Sequence, residues 1–355
     1  MKKIITILGA RPQFIKAAQL SRLLRNNSEI REIIIHTGQH NDKLMSDIFF
    51  SELKIPEPVY NLNINGGNHG QMTGLMICAI EEILLKENPQ AVIVYGDTNT
   101  TLAGSLAATK LHIPVFHIEA GLRSFNRKMP EEVNRVLTDH ISTILFCPTR
   151  LAVSNLEKEG IIKDVYHVGD IMYDAHLIAM KILRNNDNYS DGLMKKFDFV
   201  TEDFAFLTIH RAESTDSSES FLAILEYVTL IAEQKNLRII FAAHPRLKKL
   251  INECFTRYRN KIVIIDPISY IEMQFVLSRT KLVLTDSGGL QKEAYFHRVP
   301  CITLRSETEW METIDSEWNI LWKTNSYPKC KCLINGEYGE GNVSEKIIKI
   351  ISRSI

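Results

Sequence analysis

The sequence predicts an α/β protein of two doubly wound, Rossmann-like domains that face each other across a cleft. Three observations carry this. Short β-branched runs alternate with helix-period segments along the whole chain, the signature of βαβ units. The runs are continuously apolar rather than alternating, as strands covered on both faces of a parallel sheet must be. At 355 residues the chain is too long for one typical core and suits two.

In order, the first half offers the strands "IITIL" (4–8), "EIIIHTG" (32–38), "AVIVYGD" (91–97), "PVFHIEA" (114–120), "ILFCPT" (144–149) and "VYHVGD" (165–170). The second offers "FAFLTIHR" (204–211), "RIIFAAHP" (238–245), "KIVIIDP" (261–267), "KLVLTD" (281–286) and "CITLR" (301–305). Helical segments lie between them, among them "GQMTGLMICAIEEILLKE" (70–87) and "SESFLAILEYVTLIAEQ" (218–234). A break near Gly169 separates a first domain, 1–168, from a second, 169–339, and the polar stretch "RNNDNYSDG" (184–192) follows it.

Lysine plus arginine and aspartate plus glutamate each number 42. That balance argues against a nucleic-acid footprint or a membrane-surface helix. The apolar run after the two N-terminal lysines is five residues long, too short for a secretory leader. No run approaches the roughly 18 residues of a membrane span. The six cysteines are scattered; only Cys330 and Cys332 lie close, a poor zinc signature. Most fall in apolar segments, so buried reduced thiols in a cytosolic protein, with no metal, are expected.

Ligands of doubly wound sheets sit beyond the carboxyl ends of the strands. Reading off those ends gives Arg11, Gln39, His40, Asp97, Glu119, His210, His244 and Ser287. "TDSGGLQKEA" (285–294) is a strand end, a small-residue turn and a helix start, where free N–H groups and the helix dipole favour an anion. It is neither a Walker loop nor a G-x-G-x-x-G. Asp97 in "YGDTNTTLAGSLAA" could be an ordinary helix cap, worth about 1 kcal/mol. In "HIEAGLRSFNRKMPEEVNR" (117–135), Glu119 ends a strand, and Glu132 sits where helix starts favour acids. His210 and Arg211 form a cation pair at a strand end, and Arg11 with Lys16 brings two cations to a strand–helix turn. His244 could equally be idle. Glu293, a turn and a half beyond Gly289, could bind a ribose diol or face water.

Together "GARPQFIK", "HTGQH", "GDTNTTLA", "HIEAGLRS", "PEEVNR", "HRAES" and "DSGGLQKEA" resemble, in order from Gly9 to about Glu312, the motifs of the non-hydrolysing UDP-N-acetylglucosamine 2-epimerases. The resemblance implies a GT-B-like fold whose C-terminal helix, 340–355, packs back on the first domain. It implies a UDP-sugar substrate and no cofactor. Ser287, Gly288 and Gly289 would hold the diphosphate and Glu293 the ribose. His210 and Arg211 would lie near the sugar phosphate, with Arg11 and Lys16 facing them. Asp97, Glu119 and Glu132 match the family's catalytic carboxylates, and His210 its catalytic histidine. A homodimer is expected on the same ground.

Family members expel UDP from carbon 1 as a proton leaves carbon 2, then reverse both steps on the other face. That requires an acid, a base and cations for the leaving diphosphate. "GGNHGQMTG" (66–74), "RSFNRKMPEE" (123–132) and "RSETEWMET" (305–313) look more like a branch acting on UDP-2,3-diacetamido-2,3-dideoxy-glucuronate for surface polysaccharide. A sugar carboxylate would want a cation, for which Arg123, Arg127, Lys128 and Arg305 are candidates. A glycosyltransferase of the same fold, a hydrolysing epimerase and a UDP-sugar sensor are the competing readings.

Overall fold

Isoleucine and valine runs that bury both faces can only be stacked side by side beneath helices. All strand pairings among the described residues are accordingly parallel. The structure, a computed structural model, describes residues 1–39, 55–244, 247–324, 326–331 and 336–355, with the backbone alone at Ala212, Glu213 and Thr256. The chain divides into two units, Met1–Leu177 with Gly336–Ile355, and Ile178–Asn335.

The first unit holds a seven-stranded sheet of β1 (Lys2–Leu8), β2 (Ile30–His36), β3 (Tyr60–Asn61), β4 (Ala91–Tyr95), β5 (Val115–Ile118), β6 (Ile144–Cys147) and β7 (Val165–His167), in the order β3-β2-β1-β4-β5-β6-β7. The second holds β8 (Phe204–Thr208), β9 (Arg238–Ala242), β10 (Ile262–Ile265), β11 (Leu282–Thr285), β12 (Cys301–Thr303) and β13 (Asn319–Leu321), in the order β10-β9-β8-β11-β12-β13. Each order is that of a dinucleotide-binding sheet, which reverses once, at β1/β4 and at β8/β11. The expected strands all form, most of them ending two to three residues earlier than expected because the polar strand-end residues already belong to loops. β3 and β13 escape sequence reading, being too short to show an apolar run.

In the first unit Ile5, Ile7, Ile33, Ile35, Val92 and Val94 pack with Met76 and Ile80 of the helix His69–Glu87 and Ala103 and Ala107 of the helix Asn99–Lys110. Gly104 lets the latter helix settle on the sheet, since a Cβ there would stand 2.8 Å from Ile7 Cδ1. In the second unit Leu207, Phe241 and Leu284 pack against Phe221, Leu225 and Val228 of the helix Ser218–Gln234. Each such buried side chain contributes about 1.5–3 kcal/mol.

The C-terminal helix Val343–Ser354 packs on the helix Arg11–Arg25. Asp174 seats its start: the carboxylate accepts from the N–H of Val343 at 3.1 Å and of Ser344 at 2.7 Å, and from the Ser344 hydroxyl at 2.8 Å. The N-cap position itself, Asn342, makes no such bond, so the cap comes from a residue far away in sequence.

Cys147 and Cys301 are buried thiols, as the sequence suggests, whereas Cys78 is exposed on the outer face of its helix, and Cys254 and Cys330 are half-buried. Cys332 lies outside the described residues.

Glu32 on β2 is an inward carboxyl. It accepts from the hydroxyls of Thr6 at 2.5 Å and Ser21 at 2.9 Å, while its Oε2 is inaccessible and finds no hydrogen-bond partner among the described residues. Burial raises this carboxyl from 4.5 to about 7 against the pull of those two hydroxyls. A carboxyl raised on folding gives up stability as pH rises: its contribution is intact below 4.5 and lost through about 7. Glu32→Gln keeps an acceptor but cannot ionise. It should melt with the wild type near pH 4.5 and be the more stable protein at pH 8, by on the order of 2–3 kcal/mol. Thermal melts at the two pH values check this, and the same difference at both would contradict it.

Candidate active site

At the first strand reversal, Gly9 and Ala10 turn the chain from β1 into the helix Arg11–Arg25. The N-cap, Ala10, has no side-chain acceptor, and Gln13 supplies one. Its Oε1 accepts from the N–H of Gly9 at 2.8 Å and of Ala10 at 3.0 Å, and its Nε2 donates to the Tyr95 carbonyl at 2.9 Å and the Thr101 hydroxyl at 3.0 Å. One amide thus caps a helix and ties β1 to β4. A Cβ at Gly9 would collide with the hydroxyls of Thr37 and Thr100, which accounts for glycine there. Arg11, at the first helical position, is half-buried.

Lys16, buried further along this helix, pairs with Glu119 beyond β5. Gly96 lies against the pair; a Cβ on it would stand 3.1 Å from Lys16 Nζ and 3.4 Å from Glu119 Oε1. Glu119 occupies the left-handed region at φ 70°, which a non-glycine residue adopts at a cost of about 1–3 kcal/mol. Two hydrogen bonds hold it there, from the N–H of Glu119 at 3.1 Å and of Ala120 at 3.0 Å, both to the Phe146 carbonyl. Beneath, the imidazole of His117 spans Asp139 and the Gly96 carbonyl, 2.7 Å from each. Burial alone would raise Asp139; His117 and Arg123 outweigh it and hold that carboxyl below its ordinary range.

Asp97, beyond β4, is half-buried and pairs with the buried guanidinium of Arg135. Arg135 also reaches Glu132 at 3.1 Å. Glu132 accepts from the N–H of Ser124 at 2.8 Å, its hydroxyl at 2.9 Å and the N–H of Phe125 at 2.9 Å. Both its oxygens are therefore spent on the 124–125 turn and on Arg135, whereas Asp97 pairs with Arg135 and Glu119 with Lys16.

In the second unit, β8 and β11 are neighbours, and their ends bring His210 and Asp286 together. Asp286, fully buried, accepts from the N–H of His210 at 3.0 Å and of Arg211 at 2.9 Å. Its Oδ1 lies 3.2 Å from His210 Nδ1, so the imidazole is oriented with its ring 46 % exposed. Burial pushes the Asp286 carboxyl up, but the His210 imidazole and the two backbone N–H groups win and hold it at about 2. Ser287 stands at the N-cap position of the helix Gly288–Phe296 without a side-chain capping bond, its N–H donating to the Thr285 hydroxyl at 2.9 Å. A Cβ at Gly288 would collide with the Glu309 carboxylate, while one at Gly289 would meet nothing within 4 Å. Glu293 is buried and accepts from Gln274 at 2.8 Å. His244 is exposed beyond β9. His40, Pro245 and Arg246 lie outside the described residues.

Of the four cations considered for a sugar carboxylate, two are committed elsewhere. Arg123 is buried with both Nε and Nη2 on Glu159 at 2.7 Å and Nη1 on Asp139 at 2.7 Å. Arg305 is buried with Glu309 at 3.0 Å. Arg127 and Lys128 are exposed. Sequence reasoning missed Gln13, Arg135 and Asp286. Only Asp286 left a signal, an acid at a strand end next to the Ser-Gly-Gly turn.

The sequence profile of the UDP-N-acetylglucosamine 2-epimerases matches residues 22–352. The chain is 49% identical to a UDP-N-acetylglucosamine 2-epimerase homolog of Methanococcus maripaludis, over 98% of this chain and 99% of that protein. It is 48% identical to the UDP-2,3-diacetamido-2,3-dideoxy-D-glucuronate 2-epimerase of Pseudomonas aeruginosa, over 90% of this chain and 88% of that one. The crystal structure of Methanocaldococcus jannaschii UDP-GlcNAc 2-epimerase in complex with UDP-GlcNAc and UDP is similar to it with a TM-score of 0.89 and 44% identity, covering 99% of this chain and 100% of that one. With two reversed parallel sheets and this likeness along nearly its whole length, the chain belongs to the UDP-N-acetylglucosamine 2-epimerase family and is an isomerase.

Proposed function

We propose that the protein inverts carbon 2 of a UDP-2-acetamido sugar by eliminating and re-adding UDP. The observation that carries this reading is the pair Asp97 and Glu119, at the ends of neighbouring strands, each set against its own buried cation. One carboxylate takes the proton from carbon 2 as the carbon 1–oxygen bond to UDP breaks and a carbon 1–carbon 2 double bond forms. UDP then re-adds at carbon 1 while the other carboxylate's proton goes to carbon 2 from the opposite face. The sequence is redox-neutral and consumes no co-reactant.

The second unit supplies the grip on UDP. The Ser287 hydroxyl and the N–H groups of Gly288 and Gly289, which open the helix, take the diphosphate, and Glu293 takes the ribose diol. His210, oriented by Asp286, and Arg211 offset the charge of the departing diphosphate, with Arg11 and His244 as further phosphate contacts. Lys16 holds Glu119, and Glu132 acts by fixing Arg135 and the 124–125 turn.

That turn leads to Arg127 and Lys128, both exposed, and on this ground the preferred sugar carries a carboxylate at carbon 6; the likeness to the Pseudomonas aeruginosa enzyme favours a 3-acetamido group beside it. Plain UDP-N-acetylglucosamine is the second reading, favoured by the likeness to the Methanocaldococcus enzyme. The product would feed surface-polysaccharide synthesis from the cytosol. Among the described residues no helix is long and apolar enough to cross a membrane. Val133 and Leu137, one turn apart on the helix Pro130–Ile141, are exposed and give an apolar stripe suited to a homodimer.

Isosteric changes separate the two sets of roles. Asp97→Asn and Glu119→Gln should each lower turnover at least about a hundredfold with UDP affinity unchanged, whereas Gly288→Val should weaken UDP first. Near-normal turnover in both carboxamide variants, measured beside UDP binding by calorimetry, would remove these residues from the chemistry. The substrate is decided by a parallel proton-spectroscopic assay of UDP-N-acetylglucosamine and its 2,3-diacetamido-uronate analogue. The uronate should be turned over about tenfold or more faster, the discrimination a charge-paired site achieves with ease. Equal or better turnover of the plain sugar would leave the second reading standing.

A further inference from the structure

His69 opens the helix His69–Glu87 in the stretch "GGNHGQ", none of whose side chains has yet been given a role. Its ring is held by a chain of amides whose protons can be counted. The backbone carbonyl of Asp97 can only accept, so the Asn134 atom 3.0 Å from it is the NH2 group. The second proton of that group points to Asn99 Oδ1 at 3.1 Å. This fixes which way round Asn99 lies: its own NH2 faces His69 Nδ1 at 3.0 Å, with the occupied oxygen farther off at 3.4 Å. An amide NH2 cannot accept, so Nδ1 is the acceptor and the ring proton resides on Nε2. His69 is exposed, and among the described residues no hydrogen bond engages Nε2.

We propose that His69 presents this Nε2–H to the carbonyl oxygen of the substrate's 2-acetamido group, and so selects a 2-acetamido sugar and holds the carbon 2 substituent while that carbon changes hands. The inference rests on the 2-epimerase reading above. Three consecutive hydrogen bonds tie the imidazole to the backbone of Asp97, one of the two proton-exchanging residues of that reading. The acceptor that the carbon 2 substituent of such a sugar offers is its acetamido carbonyl. A neutral donor suits a neutral amide, and its fixed tautomer spends no reorganisation on turnover. Asn99 and Asn134 are positioning residues in this scheme, since they act through the imidazole.

The relay is tested without turnover by nitrogen-15 spectra of histidine-labelled protein. The His69 signals should show a protonated Nε2 and a bare Nδ1, and Asn99→Leu should release the ring into a mixture of tautomers. A proton on Nδ1 in the wild type would overturn the proposal. Kinetics on the preferred UDP-sugar test the contact. His69→Asn and His69→Phe should lose about tenfold or more in kcat/KM, the scale of one polar contact left unmade, with unchanged melting temperature and unchanged UDP affinity. His69→Gln, whose distal amide reaches the Nε2 position, should restore part of the loss. Wild-type kinetics in His69→Phe, or no recovery in His69→Gln relative to His69→Phe, would overturn it. A wild type inactive on both UDP-sugars would strike the 2-epimerase reading and the acetamido contact with it, while the tautomer signature stands or falls separately.

Discussion

Each sheet of this protein reverses its strand order once, between β1 and β4 and between β8 and β11, and the candidate site residues lie at or beside those reversals. At a reversal the following helices leave for opposite faces, so the carboxyl-end loops part and leave N–H groups and side chains uncovered. Gln13, Lys16 and Asp97 belong to the first opening and His210, Asp286 and Ser287 to the second. The apolar strands beneath are what permit this arrangement. Their two buried faces hold the sheet edge rigid while the loops above it carry strain and charge.

Several charges in these openings are paired. Lys16 is set against Glu119, Arg135 against both Asp97 and Glu132, and His210 against Asp286. Breaking a buried pair leaves an uncompensated charge and costs more than the pair ever contributes, so the pairs fix positions more than they add stability. Asp286 shows the principle most clearly: three donors, two backbone N–H groups and the imidazole, overcome the burial penalty and hold the carboxyl at about 2. Glu119 shows the complement, a left-handed backbone kept in place by paired hydrogen bonds to one carbonyl.

The strands were legible because continuous apolar runs admit one reading, and the strand-end residues followed from the rule for parallel sheets. β3 and β13 were not, since two or three residues carry no period. Gln13, Asn134 and Arg135 read as ordinary helix residues; besides the N–H groups of Gly9 and Ala10, Gln13 finds partners on β4 and beyond, and Asn134 and Arg135 find theirs after it. Glu132 was legible as an acid near a helix start but not as the anchor of a turn eight residues earlier. Arg123 and Arg305 look like free cations in sequence; burial against Glu159, Asp139 and Glu309 takes them out of play. Asp174 caps a helix that begins far along the chain, a partnership only the folded chain creates.

The central claim is that the hydrogen at carbon 2 leaves as a proton while UDP is detached from carbon 1. Turnover in heavy water, stopped at low conversion, tests it most directly. The account predicts an epimer carrying one deuterium at carbon 2, with a trace of UDP and the unsaturated sugar accumulating on long incubation. An epimer formed with protium alone at carbon 2 would contradict it.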